Sequence, residues 1–260
     1  MNDNMSAGGG SASGGKLSFV IPAHNEESVI KECLESVIKE IGSRQDCEIV
    51  VVNNASTDQT KAIASRFPQV RVVDEPRKGL SQARQTGLEN TTGELIANVD
   101  ADVIMPSGWI NKVLKAFDSD PKLVCFSGRQ VYFDSSVLVR SLVIVYYWLT
   151  YLSYLINSRI LRVGSVVIGG NYIVRRTAMQ AIGGFNSKFV FYGEDVDIAR
   201  RIYKVGKVVF SLGFYIYASG RRVNQDGLWK MAIVYPINYF WTIFFGKPFT
   251  KDYTNVRVAK

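Results

Sequence analysis

The chain has 260 residues, of which 47% are hydrophobic and 21% are charged. This composition excludes a disordered chain and provides enough apolar side chains for one large domain or two small ones. The formal net charge is +8, and residues 200–260 contain eleven Lys or Arg but two Asp, a local charge of +9. Such a basic region favours phosphate-bearing ligands or an anionic membrane surface, and without a recognition motif we expect no nucleic-acid partner.

The first fifteen residues are rich in Gly and Ser and contain neither a basic cluster nor an apolar run. A signal peptide needs both, so we expect residues 1–15 to form a disordered tail. The cysteines, Cys33, Cys47 and Cys125, are widely separated and form no C-x-x-C pair. This usage favours reduced thiols in a cytoplasmic protein over disulfides or a metal site.

Strand and helix patterns alternate through the first hundred residues. Short apolar runs predict strands at 17–21, 48–52, 70–73 and 95–99, and apolar residues at helical spacing predict helices at 26–41, 57–67 and 80–89. This alternation predicts an α/β fold with a Rossmann-like, mostly parallel sheet and helices on both faces. Ligands of such sheets bind beyond the C-terminal strand ends, where the polar residues Asn25, Asn54, Asp58 and Asp100 occur.

The pattern changes after Trp109, with a helix predicted at 110–117 and a strand at 123–132. Residues 137–156 then form an apolar stretch whose only charge is Arg140. Its length would suit a transmembrane helix, but a crossing here would divide the polar motifs between the two sides of a bilayer. We therefore expect a helix that either lies on a membrane surface or packs within the domain.

A second apolar stretch, 231–245, is rich in Tyr, Trp and Phe and is flanked by Lys230, Lys247 and Lys251. Aromatic side chains beside lysines are typical of a helix anchored at a membrane interface, although a C-terminal core helix fits the same pattern. We expect a folded domain at 16–222, followed at 223–260 by a basic, aromatic segment with an apolar or amphipathic helix.

Two carboxylates, Asp100 and Asp102, follow the strand predicted at 95–99. On an extended segment they share a face, where two anions repel each other and are costly to bury unpaired. A divalent cation would relieve this repulsion, and hard carboxylate oxygens suit Mg²⁺ or Mn²⁺. The local alternative is a solvated turn with two surface aspartates.

Seven motifs occur in order along the chain: V-I-P-A-H-N-E-E (20–27), V-V-N-N-A-S-T-D-Q-T (51–60), K-G-L-S-Q-A-R-Q-T-G (78–87), N-V-D-A-D (98–102), G-G-N-Y-I-V-R-R (169–176), G-G-F (183–185) and G-E-D-V-D-I-A-R-R (193–201). From Lys16 to Tyr217 the chain thereby resembles the family 2 glycosyltransferases of the GT-A fold. The resemblance implies that 16–222 is a catalytic domain. It implies an inverting transfer of a sugar from a nucleotide-diphospho-sugar, a UDP-sugar or a GDP-sugar, to an acceptor hydroxyl, with Mg²⁺ or Mn²⁺ as cofactor.

The resemblance also implies roles on the donor side, with Asp102 as the metal ligand. The residues that match nucleotide-binding positions are Pro22, Ala23, Asn25, Glu27, Asn54, Asp58, Lys78, Gly79, Arg84 and Asp100. The chain departs from the family pattern at Asn53 and Asn54, where aspartates are common. An amide both donates and accepts hydrogen bonds, so uracil recognition is retained while the choice of base stays open.

On the acceptor side, Asp195 matches the general base, and Glu194 matches a residue that hydrogen-bonds the acceptor. A base is required because a hydroxyl is a poor nucleophile until its proton is removed. From the local pattern alone, helix capping is the preferred explanation of these acids, and only the resemblance favours the catalytic one. Gly169, Gly170 and Asn171 follow an apolar run that predicts a strand. By the resemblance they match the donor-sugar and acceptor face, for which a simple turn is the local alternative.

Many relatives carry a metal-binding histidine after the E-D helix. The only histidine here is His24, for which we expect a hydrogen-bonded role in its loop. Arg221 and Arg222 stand at the corresponding distance, and we expect them to grip the diphosphate directly and to reduce the dependence on a metal. A solvated basic loop is the local alternative.

The sequence leaves the acceptor open. The two apolar stretches and the basic end of the chain favour a lipid-linked or cell-envelope glycan as acceptor, with peripheral attachment to the cytoplasmic face of a membrane. The competing interpretation is a catalytically silent nucleotide-sugar-binding or membrane scaffold protein of the same fold.

Overall fold

The computed structural model describes residues 17–162, 164–189 and 193–227, and nine separate positions between 233 and 250. The tail predicted at 1–15 lies outside the described residues, as does most of the apolar segment predicted at 231–245 with its flanking lysines. The structure below is that of the described part of the chain.

A mixed sheet of eight strands runs through the centre of the domain. Its strands are β1 (Leu17–Ala23), β2 (Cys47–Asn54), β3 (Val70–Glu75), β4 (Leu95–Val99), β5 (Val103–Ile104), β6 (Leu123–Tyr132), β7 (Asn171–Arg175) and β8 (Lys207–Ala218). The spatial order is β3-β2-β1-β4-β7-β6-β8-β5. The first four strands in that order are parallel, β7 is antiparallel to both of its neighbours, and β5 is antiparallel to β8.

Eight α-helices connect these strands within the described residues: α1 (Ile30–Ile41), α2 (Thr60–Ala64), α3 (Leu80–Glu89), α4 (Trp109–Ser119), α5 (Val137–Leu155), α6 (Arg176–Ala181), α7 (Glu194–Ile202) and α8 (Arg221–Asp226). A π-helical turn at Ile156–Ile160 prolongs α5. The Ser136 hydroxyl caps α5 by accepting a hydrogen bond from the Val139 N–H, 3.3 Å away.

Hydrophobic cores lie on both faces of the sheet, as the alternating pattern predicts. Along β1 the side chains alternate, so that Phe19 and Ile21 face α1 and α4 while Val20 faces α3. In α1 the buried residues Ile30, Cys33, Leu34 and Val37 recur at helical spacing and form one stripe against the sheet. The predicted α/β architecture with helices on both faces is confirmed.

Three predicted elements differ from the structure. The helix predicted at 57–67 is limited to Thr60–Ala64, because residues 57–59 belong to the loop that bonds to residues 25–27. The helix predicted from residue 26 begins at Ile30, because residues 24–29 form a turn that is hydrogen-bonded to the loop after β2. The G-G-N motif was expected to follow an apolar strand, but residues 164–170 are not in a strand and β7 begins at Asn171.

The helix α5 has one packed face and one exposed face. Val143, Tyr147 and Tyr154 are buried in a cluster with Phe210 of β8. The opposite face exposes large apolar side chains: Val137, Leu138, Ile144, Val145, Trp148, Leu149 and Leu152. With its π-helical turn, the segment Val137–Ile160 is long and apolar enough to cross a membrane, and only 17% of its most apolar window is buried.

Candidate active site

The C-terminal ends of β1, β2 and β4 place the predicted polar residues at one edge of the sheet. Pro22 and Ala23 are the last two residues of β1. His24 follows them, and its Nδ1–H donates to the backbone oxygen of Asn54 at the end of β2, at 2.7 Å. The hydrogen-bonded loop role predicted for His24 is confirmed, and this bond ties the two strand ends together.

Three residues expected to bind the nucleotide join the loop after β1 to the loop after β2. Asn25 Oδ1 accepts from the Thr57 N–H at 2.8 Å, and Glu27 Oε2 accepts from the Gln59 N–H at 2.9 Å. Asp58 Oδ2 accepts from the Glu27 N–H at 3.1 Å. Burial opposes ionisation of Asp58, but hydrogen bonds from Thr60 and Glu27 lower its pKa below the ordinary value. These side chains thus hold the two loops together as acceptors of backbone hydrogen bonds.

Asn54 fixes the loop between β3 and α3. Its Nδ2 donates to the backbone oxygens of Glu75 and Arg77, at 3.0 and 2.8 Å, and its Oδ1 accepts from the Gly79 N–H at 2.9 Å. Lys78 is exposed in the loop that these bonds hold. The base or ribose contact expected of Asn54 stays a prediction, and the amide already serves a structural purpose.

Asp100 lies directly after β4, and its surroundings explain the glycine pair of the G-G-N motif. Gly170 has φ +75°, and a Cβ atom there would lie 2.2 Å from Asp100 Oδ2. A Cβ atom at Gly169 would lie 3.8 Å from Asp195 Oδ2. The glycine pair therefore separates the donor-side carboxylate Asp100 from the predicted base Asp195, and a side chain at Gly170 would collide with Asp100.

A buried arginine connects the two halves of the site. Arg84, on α3, is fully buried; its Nη2 lies 3.0 Å from Asp100 Oδ1, and its Nη1 contacts Glu194 Oε2 on α7. The guanidinium lies 5.4 Å from the Tyr172 ring centroid, and the Tyr172 hydroxyl donates to Glu194 Oε1 at 3.2 Å. We call Arg84, Asp100, Tyr172 and Glu194 the Arg84 cluster. It joins the end of β4 to the start of α7.

Asp195 is the second residue of α7 and is partly exposed. Burial, and after it the charge of the neighbouring Glu194, raise the pKa of Asp195 to about 6, against hydrogen bonds from the Val196 and Gly169 N–H groups and the charge of Arg84. A general base functions best when its pKa lies near the working pH, which this value satisfies. The other acid of this turn, Asp197, is held by Arg201 at 2.7 Å and is structural.

Asp102 has a positive partner from the far end of the chain. Arg221 Nη2, at the start of α8, lies 3.0 Å from Asp102 Oδ2 and also contacts Glu26 Oε2. We call Arg221, Asp102 and Glu26 the Arg221 cluster. Sequence reasoning selected Glu27 and missed Glu26. The available signal was position: Glu26 stands four residues before Ile30, in line with the buried stripe of α1.

The profile described as "Glycosyl transferase family 2" matches residues 18–183. The chain belongs to glycosyl transferase family 2. A second profile, "N-terminal domain of galactosyltransferase", matches residues 159–218. The probable glycosyltransferase YdaM of Bacillus subtilis (strain 168) is 26% identical over 201 residues, which cover 74% of this chain and 47% of YdaM. The chain therefore spans about half the length of that relative.

Solved structures show the same fold at low sequence identity. The mannosyltransferase PcManGT of Pyrobaculum calidifontis, in complex with GDP-Man and Mn²⁺, superposes with a TM-score of 0.65 at 20% identity, covering 88% of this chain and 63% of that one. The glucosyl-3-phosphoglycerate synthase of Mycobacterium tuberculosis, with Mg²⁺ and UDP, gives 0.62 at 18% identity, covering 90% and 81%. The GT-A fold expected from the family 2 motifs is confirmed.

The carboxylate of Asp102 fits a divalent ion whose other ligands come from the substrate and from water. The described residues contain no group of three or more His, Cys, Asp or Glu side chains that could hold an ion. Mg²⁺ commonly takes one or two carboxylates together with phosphate oxygens and water. Asp102, with 21% of its side chain exposed, offers one carboxylate of this kind.

Arg84 was expected to bind the nucleotide, but it is fully buried and paired with Asp100 and Glu194. Two further predicted site residues also have structural partners in place of an exposed position. Asn171 was expected at the donor-sugar and acceptor face, but it is fully buried; its Oδ1 accepts from Trp109 Nε1 at 3.2 Å and its Nδ2 donates to the Arg129 backbone oxygen at 3.0 Å. Glu194 was expected to contact the acceptor, but its carboxylate is buried between Arg84 and Tyr172. Arg222 follows Arg221 on α8 and is half-buried.

Proposed function

We propose that this protein is an inverting glycosyltransferase that moves a sugar from a nucleotide-diphospho-sugar, in the first instance a UDP-sugar, to an acceptor hydroxyl. The observation that carries this is the placement of two carboxylates on either side of Gly169 and Gly170. Asp100, beside the metal-ligand candidate Asp102, lies on one side, and Asp195, with its raised pKa, lies on the other. A transferase needs a cation beside the leaving diphosphate and a base beside the acceptor hydroxyl, held close together.

Asp195 serves as the general base. Its carboxylate removes the acceptor hydroxyl proton while the acceptor oxygen forms its bond to the anomeric carbon. The bond from that carbon to the diphosphate oxygen breaks on the opposite face, and the nucleoside diphosphate leaves with the electron pair, so the configuration inverts. The positive charge that develops on the sugar resembles that in glycoside hydrolysis.

Asp102 and the arginines of α8 serve the leaving group. Mg²⁺ or Mn²⁺ held by Asp102 would neutralise the charge that grows on the diphosphate. Arg221 offers a guanidinium fork, which suits phosphate oxygens. The Arg84 cluster keeps Asp100 in place on this side and positions α7, and with it Asp195, on the other.

Asp195→Asn separates binding from chemistry and tests the assignment. The amide keeps the shape but cannot take a proton, so we expect unchanged UDP affinity by calorimetry. In a UDP-release assay with a panel of UDP-sugars and a membrane lipid extract as acceptor, the turnover should fall by about 10²–10⁴-fold. Full turnover in Asp195→Asn would remove Asp195 from the mechanism, and a wild type that binds neither UDP nor GDP would favour the catalytically silent scaffold.

We further propose that the protein lies peripherally on the cytoplasmic face of a membrane and uses a lipid-linked acceptor. The exposed apolar face of α5 supports this, since 60% of Trp148 and 62% of Leu149 are exposed. Exposed Arg140, Arg159 and Arg162 provide cations for anionic headgroups along and beyond the same helix. The three cysteines are free, which suits a reducing compartment.

Flotation with vesicles tests the membrane proposal. We expect the wild type to float with phosphatidylcholine vesicles that contain phosphatidylglycerol, and a Trp148→Glu, Leu149→Glu variant to stay in the soluble fraction. Val205→Glu is the matched control, because Val205 is an exposed apolar residue outside α5. A wild type that stays soluble at low salt would contradict the proposal.

A further inference from the structure

Backbone hydrogen bonds attach the segment that carries Arg221 to the segment that carries Asp102. The short strand β5, directly after Asp102, pairs with the end of β8, with Val103 opposite Ala218. The next residue of the chain, Ser219, donates its N–H to the backbone oxygen of Asp102 at 3.0 Å. The loop that carries Arg221 is therefore attached to the very residue that Arg221 neutralises.

A second set of contacts makes this loop stiff. The Asp134 carboxylate accepts from the Ser219 hydroxyl at 2.6 Å and from the Gly220 N–H. A Cβ atom at Gly220 would lie 2.0 Å from Ser135 Oγ, so the loop packs too closely for a larger residue without a shift. The backbone of Arg221 is thus held in place, and only its long side chain is left to move.

The charges explain why Arg221 takes this resting position. The Glu26 side chain is 4% exposed, and a carboxylate buried to that degree is costly without a partner. Arg221 contacts the Glu26 and Asp102 carboxylates together, so its guanidinium is shared between two anions. Arg221 and Asp102 are each about one-fifth exposed, at 20% and 21%, so both can be reached from solvent.

We propose that Arg221 is an exchangeable internal counter-ion of the donor site. In the donor-free protein it neutralises Asp102 and Glu26; when a nucleoside diphosphate binds, its side chain turns to the diphosphate and exposes the Asp102 carboxylate to a divalent ion. This inference rests on the proposed function and goes beyond a simple diphosphate contact, because it assigns Glu26 as the resting partner. It also fixes an order, in which Arg221 opposes metal binding until the nucleotide is present.

The linkage has a measurable consequence for the metal. A guanidinium beside Asp102 repels a divalent ion and occupies its ligand, so Mn²⁺ alone should bind the wild type weakly. The nucleotide removes this obstacle, so Mn²⁺ and UDP should each strengthen the binding of the other by the same factor.

The test measures Mn²⁺ binding to donor-free protein by electron paramagnetic resonance, which needs neither acceptor nor turnover. Arg221→Met frees Asp102 and Glu26 and removes the repelling charge, so we expect about tenfold tighter Mn²⁺ binding than in the wild type. Arg221→Lys keeps the charge and should stay near the wild type. Arg44→Met is the matched control, because Arg44 bonds Asn111 at the opposite edge of the sheet. In EDTA, Arg221→Met should bind UDP about tenfold more weakly than the wild type.

Equal Mn²⁺ affinity in the wild type and in folded Arg221→Met would overturn the counter-ion role. Unchanged UDP affinity of Arg221→Met in EDTA would overturn the transfer to the diphosphate. Adding Asp102→Asn to Arg221→Met should abolish the gain in Mn²⁺ affinity, and a gain that persists would place the ion elsewhere and overturn the inference. Failure of the proposed function looks different, since the wild type itself would then bind neither UDP nor GDP.

Discussion

Two arginines neutralise carboxylates at the same edge of the sheet, and their burial differs. Arg84 is fully buried and pairs with Asp100 and Glu194, whereas Arg221 is 20% exposed and pairs with Asp102 and Glu26. A guanidinium without access to water has no alternative partner and serves as a brace. A guanidinium in contact with solvent can exchange one anion for another, as donor binding requires. The comparison predicts a cost in stability at Arg84 and a change in ligand affinity at Arg221.

The largest expected effect is on stability, in Arg84→Met. The variant would leave Glu194 buried beside Tyr172 without its cation, and breaking such a buried pair costs about 3–5 kcal/mol. Denaturant unfolding measures the loss. Arg221→Met also leaves a buried carboxylate, Glu26, without this cation, but its other partner Asp102 is partly solvated and the site of Arg221 is itself open to water, so this variant should lose less than Arg84→Met. Equal losses in the two variants would erase the distinction between brace and counter-ion.

The next effect concerns Asp195, where stability and activity should change in opposite directions. The folded-state pKa of about 6 lies above the ordinary value, so the ionised carboxylate destabilises the fold once the pH rises through that range. Asp195→Asn should therefore raise the Tm at pH 8 by about 2–4 °C, with almost no gain near pH 3, which lies below both the ordinary pKa of 3.8 and the folded-state value, so that the carboxyl is mostly protonated in both states. Thermal scans at the two pH values check this, and a lower Tm at pH 8 would contradict it.

A third comparison separates steric clash from backbone strain at two glycines that both have positive φ, Gly170 and Gly183. Gly170→Ala would place a Cβ atom 2.2 Å from Asp100 Oδ2 at φ +75°, while Gly183→Ala meets nothing within 4 Å at φ +72°. Both carry similar strain of about 1 kcal/mol, so any excess loss in Gly170→Ala reports the clash. We also expect weaker UDP binding in Gly170→Ala only. Identical unfolding and binding curves for the two variants would show that Asp100 moves aside without a loss of stability or of UDP affinity.

The smallest expected effect is a pH dependence of the wild type. If Asp195 is the base, kcat/KM should fall about tenfold per pH unit below the pKa of about 6 and level off above it. UDP affinity should not follow this profile, because Asp195 lies on the acceptor side. A flat rate profile between pH 5 and 7 would assign the proton transfer to another group.

The elements with strong local patterns were predictable from the sequence. The bounds predicted for α3, β4 and β6 agree with the structure, because each is an uninterrupted run of one periodicity. β7 was not predicted, since its position between β4 and β6 depends on pairing with strands distant in the chain. The order of the sheet is likewise a tertiary property that no local pattern encodes.

The sequence predicts which residues belong to the candidate site better than it predicts how they pair with one another. The motifs identified Asp100, Asp102, Asp195 and the glycine pair, which the fold brings to one edge of the sheet. The ion pairs escaped prediction because their partners are far apart in sequence: Arg84 and Glu194 by 110 residues, Arg221 and Glu26 by 195. We expected Asn171 and Glu194 to contact ligands, because a sequence motif does not reveal which of its polar residues are buried.

If Asp102 lies at the diphosphate site, the binding of UDP and of Mn²⁺ should depend on its carboxylate. Calorimetric titration of UDP with and without Mn²⁺, on the wild type and on Asp102→Asn, measures this dependence. We expect Mn²⁺ to strengthen UDP binding to the wild type and to have no effect on UDP binding to Asp102→Asn. A wild type that binds neither UDP nor GDP, or an Asp102→Asn variant with an undiminished response to Mn²⁺, would contradict this assignment.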